Sequence, residues 1–596
     1  MQVYEAPLRD MRFLIHELSR DDGYGEMPAH AEFSPELIDA VLAEAAKLAQ
    51  GVLLPLNAAG DLEGCIWENG VVRTPTGFKD AYRQFREGGW CALANDPAWG
   101  GQGLPETVNK LVEEMTVAAN VSFSLYPGLT HGASAAIEHH ASEDLRQLYM
   151  PKLVSGIWSG TMCLTEAHCG TDLGMLRTKA VPQADGSYRI TGNKIFISAG
   201  EHDLTENIVH LVLARLPDAP EGVKGISLFL VPKFLPNHDG SVGARNGVLC
   251  TGIEHKMGLK ASATCQMSFD DATGWIVGEA NKGLAAMFTM MNTERLAVGV
   301  QGLGIGSIAY QSAVAYAKER IQGRALSGSK RPDLAADPII VHPDVRRMLM
   351  TMRAYTEGCR ALSVWAARAV DAEKHSPNEA IRQRAADMTA LMTPVLKALL
   401  TDIGHEVAQF GIQVYGGHGY IREHGVEQLA RDARIAMIYE GTNGVQALDL
   451  VARKLPAAGG RYLRSYAELI IAFIGQHKDV SGMGELVGAL EKAAGALQIA
   501  TQVIAEKGMT DPEEAGAASS DYLRLLGLVS IAYLFARSAK IAGIKLAKGE
   551  DPDGFYAAKL VTIRFFYERL LPQAGALLAA IKAGKRSMME LPEDAF

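Results

Sequence analysis

Between Gln413 and Gln446 the chain reads QVYGGHGYIREHGVEQLARDARIAMIYEGTNGVQ, a helix held between two glycine turns. Gly416, Gly417 and Gly419, around His418, break a long apolar helix. Glycine tolerates positive φ and lets a ligand lie against bare backbone. The second turn, Tyr439-Glu440-Gly441-Thr442-Asn443-Gly444, sets one carboxylate behind Ala436, Met437 and Ile438. Apolar neighbours of this kind predict a poorly hydrated pocket around Glu440, where desolvation raises a carboxylate's pKa and its strength as a base. Thr442 and Asn443 are suited to cap the helix that follows.

The rest of the chain supplies a scaffold for these turns, and 596 residues exceed what one core can hold. Residues 1–35 read as an arm with an amphipathic helix, Met11, Phe13, Leu14, Ile15 and Leu18 along one side. Residues 36–159 are helical in texture, with a glycine- and proline-rich loop, GWCALANDPAWGGQGLPE, between the first helices. Over 160–280 the period shifts to two: Tyr188–Ser198, Ile208–Leu216, Ile226–Pro232 and Cys265–Phe269 read as strands, with Asp185-Gly186 as a hairpin turn. Residues 281–456 return to long helices that pack naturally as a four-helix bundle. Residues 457–596 add three Ala/Leu-rich helices, roughly 461–507, 515–548 and 552–584. The predicted fold is mainly α with a central β-domain and an extra helical domain at the C-terminal end.

A formal charge of −10 argues against a general binder of nucleic acid or anionic membrane. The seven cysteines form no CxxC pair, which predicts neither a disulfide framework nor a zinc site, and a reducing compartment fits best. The opening MQVYEAPLRDMRFLIHEL carries charges in every turn, so no signal peptide or membrane span is expected and a cytoplasmic location is.

The QVYGGHG segment, RDARI and the YEGT turn, in that order and spacing, resemble the acyl-CoA dehydrogenase family. The resemblance implies FAD as cofactor, an acyl-CoA substrate and Glu440 as the catalytic base, with Gln413, Gly416, Gly417, Thr442 and Asn443 on the FAD and Gly441 against the substrate. Met162 to Asp172, MCLTEAHCGTD, resembles the family's flavin loop, although Ala167-His168-Cys169 stands where Pro-Gly-Ala is usual. It would bring Met162, Leu164, Thr165, Gly170 and Thr171 to the cofactor, Thr171 also facing substrate. Taken alone, that stretch reads equally as a polar hairpin loop. KIFISAG resembles the strand whose aromatic and hydroxyl meet the flavin, here Phe196 for tryptophan and Ser198 for threonine; alone, Phe196 reads as a buried strand residue. Met291 to Arg295, MNTER, resembles the segment at the CoA thioester and would supply Asn292, Glu294 and Arg295. Arg320, on the same helix, matches the arginine that reaches FAD pyrophosphate in the neighbouring subunit, since a guanidinium fork suits phosphate. Each arginine alone reads as a solvated helix charge. In some branches the base comes from the position of Glu294; here both carboxylates are present, and the intact turn favours Glu440.

The activity implied is α,β-dehydrogenation of an acyl-CoA to a trans-2-enoyl-CoA, with electrons passing to an electron-transferring flavoprotein. The start, the MMNTERLAVGVQGLG and KERIQGRA segments and the helical tail resemble the bacterial branch acting on 3-(methylthio)propanoyl-CoA, from dimethylsulfoniopropionate breakdown. A short- or medium-chain fatty acyl-CoA is the alternative substrate, an oxidase the alternative chemistry, and a non-catalytic flavin-binding assembly protein the alternative class. Relatives with a similar extra domain imply a homodimer.

Overall fold

The computed structural model describes residues 2–25 and 27–596; Met1 and Glu26, both in the stretch read as an arm, lie outside the described residues. The chain divides into two compact units, one of Met1–Ala43, Glu106–Glu114 and Val298–Phe596, the other of Glu44–Pro105 and Met115–Ala297.

The first unit is helical. Its principal helices are α1 (Leu8–His16), the start of α2 (Glu106–His140), the later part of α3 (Gly283–Glu319), α4 (Pro343–His375), α5 (Glu379–Tyr415), α6 (Val426–Ala436), α7 (Asn443–Asp449), α8 (Pro512–Ala547) and α9 (Phe555–Phe565). α3 and α5 cross with backbones in contact: a Cβ on Gly302 would strike the Leu400 carbonyl, and one on Gly404 the Gly302 carbonyl. α8 is long and apolar enough to cross a membrane, yet 89% of its most apolar window is buried inside the protein. It behaves as a core helix, with Gly527 against Leu399 of α5 and Gly358 of α4 against Ile531 and Phe535.

The arm is integral to this unit. Met11, Phe13, Leu14 and Leu18 are buried, and the Phe13 ring lies 5.5 Å from that of Phe555 on α9. Beneath them runs a buried ionic chain. Arg360 grips Glu114 through Nε and Nη2 at 2.7–3.0 Å and reaches Asp10 at 2.7 Å; Lys559 joins Asp10 to Glu357. Arm, bundle and tail thus share one set of charges, each with a partner.

The tail helices expected as three are six among the described residues, because the first and last are interrupted and a short one, Arg586–Met589, follows. Ala457–His477 and Gly484–Thr510 are separated at Gly482 (φ +80), and the last helix breaks around Pro572 into α9 and Gln573–Ala583. Glycine in a left-handed conformation and proline without an N–H both end a helix that apolar periodicity alone would continue.

The second unit is built on strands β1 (Trp158–Cys163), β2 (Lys179–Pro182), β3 (Tyr188–Ser198), β4 (Asn207–Arg215), β5 (Ile226–Pro232), β6 (Val248–Ile253) and β7 (Thr264–Val277). β7 pairs β3, β3 pairs β2, β2 meets β4 at Lys179 and Arg215, β4 pairs β5 and β5 returns to β7, so the sheet closes on itself. β1 and β6 extend it. β5 is buried at every residue and β4 at all but its last, which is why NIVHLVLA and ISLFLVP are near-continuous apolar runs rather than alternating ones. The Asp185-Gly186 turn closes the β2–β3 hairpin with Gly186 at φ +83. In this unit α2 kinks at Asn120, whose carboxamide donates to Leu53 O (3.3 Å) and accepts from Phe123 N (3.0 Å), replacing the interrupted helical ladder.

Candidate active site

In the helical unit, α5 ends where Gly416 turns to φ +60. Gly416 and Gly417 are exposed and a Cβ on either would meet nothing, whereas one on Gly419 would strike the Ile412 carbonyl. The three glycines therefore do different work: one turns the chain, one leaves backbone bare, and one allows close packing. Gln413 is exposed beside the first two.

α6 then leads to Glu440, a non-glycine residue in the left-handed region at φ +57. Backbone held there costs about 1–2 kcal/mol and persists only where the surroundings over-determine it. Several bonds do so. Gln446 Nε2 donates to the carbonyls of Glu440 (3.3 Å) and Gly441 (3.1 Å). Asn443 N and Thr442 Oγ1 both donate to Met437 O, at 3.0 and 3.2 Å, and the Tyr439 hydroxyl donates to Gln301 of α3. Asn443 turns its carboxamide to α5: Oδ1 accepts from Lys397 Nζ (2.8 Å), and Nδ2 donates to Asp402 Oδ1 (2.7 Å), Thr401 Oγ1 (3.0 Å) and Ala398 O (3.2 Å). Burial pushes Asp402 above the ordinary carboxylate range, against the Asn443 hydrogen bond and nearby cations.

Two expectations change here. Thr442 stands at the N-cap of α7, but its hydroxyl does not cap that helix, because Met437 O takes it. Nor does the polypeptide alone bury the turn: Ala436 is buried, Met437, Tyr439 and Glu440 are half-buried, and Ile438 is 50% exposed. The carboxylate is already partly dehydrated, since Glu440 Oε2 is buried although the residue as a whole is half-buried. Arg320, at the end of α3, is exposed, its carbonyl taken by Ile339 N.

In the β-centred unit, Phe196 is 58% exposed and also left-handed, at φ +59. It lies in a bulge of β3, where the pairing passes from Ile197 opposite Cys265 to Lys194 opposite Met267. A bulge re-aims a side chain, and here it turns an aromatic ring outward from the strand. Taken by itself Phe196 reads as a buried strand residue; its place in the KIFISAG pattern gives it the flavin-facing role. Ser198, half-buried, is two residues on. The loop from Met162 is tied down beneath: Lys194, fully buried, donates to Leu164 O and Glu166 Oε1, both at 2.9 Å, and Ile195 N donates to Thr165 O. Burial alone would raise Glu166, but Lys194 and the Thr178 hydroxyl bring it down to about 2. Met162, Leu164 and Thr165 are half-buried, while Gly170 and Thr171 are exposed. Glu166, His168 and Cys169 bring metal-type donor atoms within 4.8 Å of one another. Their carboxylate is already committed to an ammonium group, which opposes a second cation.

Farther along, Arg295 is buried, donates to Asn292 Oδ1 at 3.3 Å and lies 5.8 Å over the Phe288 ring. Glu294 is 4% exposed and presses on α2 where Gly132 leaves room: a Cβ there would strike Glu294 Oε1. Sequence reasoning passed over Lys397, Asp402, Gln446 and Lys194. A lone lysine within the apolar run LMTPVLKALL was the available signal for Lys397.

Four family profiles tile the chain: acyl-CoA dehydrogenase N-terminal domain over 39–157, middle domain over 161–272, C-terminal domain over 281–455, and an acetyl-CoA dehydrogenase C-terminal-like region over 466–592. The chain belongs to the acyl-CoA dehydrogenase family. It is 44% identical to a 3-methylmercaptopropionyl-CoA dehydrogenase of Ruegeria pomeroyi, over 96% of this chain and 97% of that one. It is 35% identical to a broad-specificity linear acyl-CoA dehydrogenase of Mycobacterium tuberculosis, each chain covered in full. In fold it matches an acyl-CoA dehydrogenase from Bacillus anthracis complexed with FAD, at a TM-score of 0.73 and 19% identity, over 97% of this chain and 92% of that one. This acyl-CoA dehydrogenase is an FAD-dependent oxidoreductase, and its residues suit the cofactor: an outward aromatic at a bulge, bare glycine backbone after α5, and hydroxyls and amides on an exposed loop.

Proposed function

We propose that the thioester oxidised is 3-(methylthio)propanoyl-CoA and that Glu440 removes its α-proton. The observation that carries the choice of substrate is the 44% identity over nearly the whole chain, against 35% for a linear acyl-CoA enzyme matched over the same span. An α-proton of a saturated thioester is weakly acidic, so the site must supply a held base and stabilise the developing enolate. Glu440 is held by a strained backbone with its own carbonyl and that of Gly441 engaged by Gln446, and its own N–H is the donor for the thioester oxygen. By the family resemblance, Arg295 and Asn292 are assigned to the CoA portion, and Thr171 and Gly441 to substrate contact. FAD, when bound, accepts the hydride that leaves the β-carbon, so that loss of the proton and the hydride gives the trans-2-enoyl-CoA. Electrons then pass to an electron-transferring flavoprotein, and the working form is a homodimer.

Anaerobic titration of the purified holoprotein with 3-(methylthio)propanoyl-CoA, butanoyl-CoA and octanoyl-CoA, followed by flavin absorbance, tests this. Bleaching at lowest concentration by the methylthio thioester is expected. Preferential bleaching by octanoyl-CoA or butanoyl-CoA would replace the substrate, and no bleaching by any of them would overturn the activity.

A further inference from the structure

We propose that Asn443, backed by Lys397 and Asp402 of α5, is the positioning residue that sets the pose of the Glu440 carboxylate; this rests on Glu440 being the base. Glu440 is held at φ +57 in a half-exposed turn, so its direction depends on what anchors the turn at either end. Before it, Tyr439 bonds Gln301 of α3. After it, Asn443 bonds α5 through four contacts of 2.7–3.2 Å. The contacts from Gln446, Thr442 and the Asn443 N–H are internal to the segment 437–446 and shape the turn without tying it to a neighbour.

The chemistry of the anchor is specific. A carboxamide accepts from Lys397 with one end and donates to Asp402 and Thr401 with the other; a carboxylate has no donor for Asp402, and a hydroxyl is too short to span both. Lys397 is fully buried, and a buried ammonium is costly unless its partners are well placed. Placing that cation against Asn443 Oδ1, with Asp402 five residues along α5 at the other end of the amide, makes the register of the amide rigid. Arg524 of α8 bonds Glu406 of α5 at 3.3 Å and, with His405, acts electrostatically on Asp402, so the C-terminal domain backs the same anchor.

The test is stopped-flow reduction of FAD-replete holoenzyme by 3-(methylthio)propanoyl-CoA, in protonated and α-deuterated forms. For Asn443→Ala, the limiting reduction rate is expected to fall about tenfold or more, the scale of loss when a reacting group is misplaced by an ångström. The α-deuterium isotope effect should rise with substrate Kd retained, while the melting temperature should fall because buried Lys397 loses a partner. Asp402→Ala, which leaves the turn's own sequence intact, should shift rate and isotope effect in the same direction. A full rate in folded Asn443→Ala, with Glu440→Gln inactive, overturns the positioning role and leaves the base standing. A Glu440→Gln enzyme that still reduces its flavin overturns the base and the inference together. Should Asn443→Ala lose FAD or fail to fold, Asp402→Ala and Thr401→Val decide: a slowed rate at full FAD content supports the anchor, and an unchanged one overturns it.

Discussion

At the scale of single residues, two of the eight non-glycine residues with positive φ among the described residues, Phe196 and Glu440, belong to the candidate site. Strain of this kind is tolerated where it aims a group. Phe196→Ala is expected to leave the apoprotein's melting temperature unchanged and to weaken FAD binding by about 1 kcal/mol, the worth of an aromatic stack, measured by fluorescence titration. Glu294→Gln should still bleach with substrate, because the base is on the other carboxylate; loss of bleaching would transfer that role. Glu166 makes a pH prediction with a definite sign. Its folded pKa, about 2, lies below the ordinary 4.5, so its stabilisation is complete above the ordinary value and is lost as pH falls toward 2. Glu166→Gln strands the buried Lys194, and should cost ~3 kcal/mol near neutrality, a gap in melting temperature that narrows in acid. The residues with chemistry of their own were legible in sequence because turn motifs advertise them. Lys397 and Asp402 were not, since a buried polar group shows its purpose only when its partner, Asn443, is brought back from 41 or more residues away.

At the scale of elements, the long helices and the strands β3, β4 and β5 were readable from periodicity, because each buries a continuous or regularly spaced apolar face. The short strands β1, β2 and β6 were missed: a run of a few residues such as Lys179–Pro182 is held by its neighbours rather than by its own pattern. The breaks at Gly482 and Pro572 were likewise overridden by apolar spacing on either side. Between elements, the ionic chain of Arg360, Glu114, Asp10, Lys559 and Glu357 joins α1, α2, α4 and α9. Arg360→Met leaves Glu114 and Asp10 buried without their guanidinium, and is expected to cost about 3–5 kcal/mol, read as a lowered melting temperature. An Arg360→Met protein melting with the wild type would show that the chain is solvated in solution.

At the scale of the whole molecule, the C-terminal helices are part of the structural core of the helical unit, since α8 lies against α4 and α5 and carries the most continuous buried apolar run of the tail. A chain ended after residue 456 is therefore expected to be insoluble or to bind hydrophobic dye strongly, and a soluble, active truncated enzyme would contradict that assignment. The turns that carry Glu440 and the bare glycines were legible at this scale because their order along the chain is itself a pattern. The anchors behind them were not, since they join segments that periodicity treats separately. The most direct measurement is the anaerobic absorbance of wild-type and Glu440→Gln holoenzyme during titration with 3-(methylthio)propanoyl-CoA. The wild type should bleach, while the variant stays yellow and binds the thioester with its flavin oxidised, a loss of about 10²–10⁴ in rate for a missing general base. Bleaching of Glu440→Gln at the wild-type rate would contradict the account.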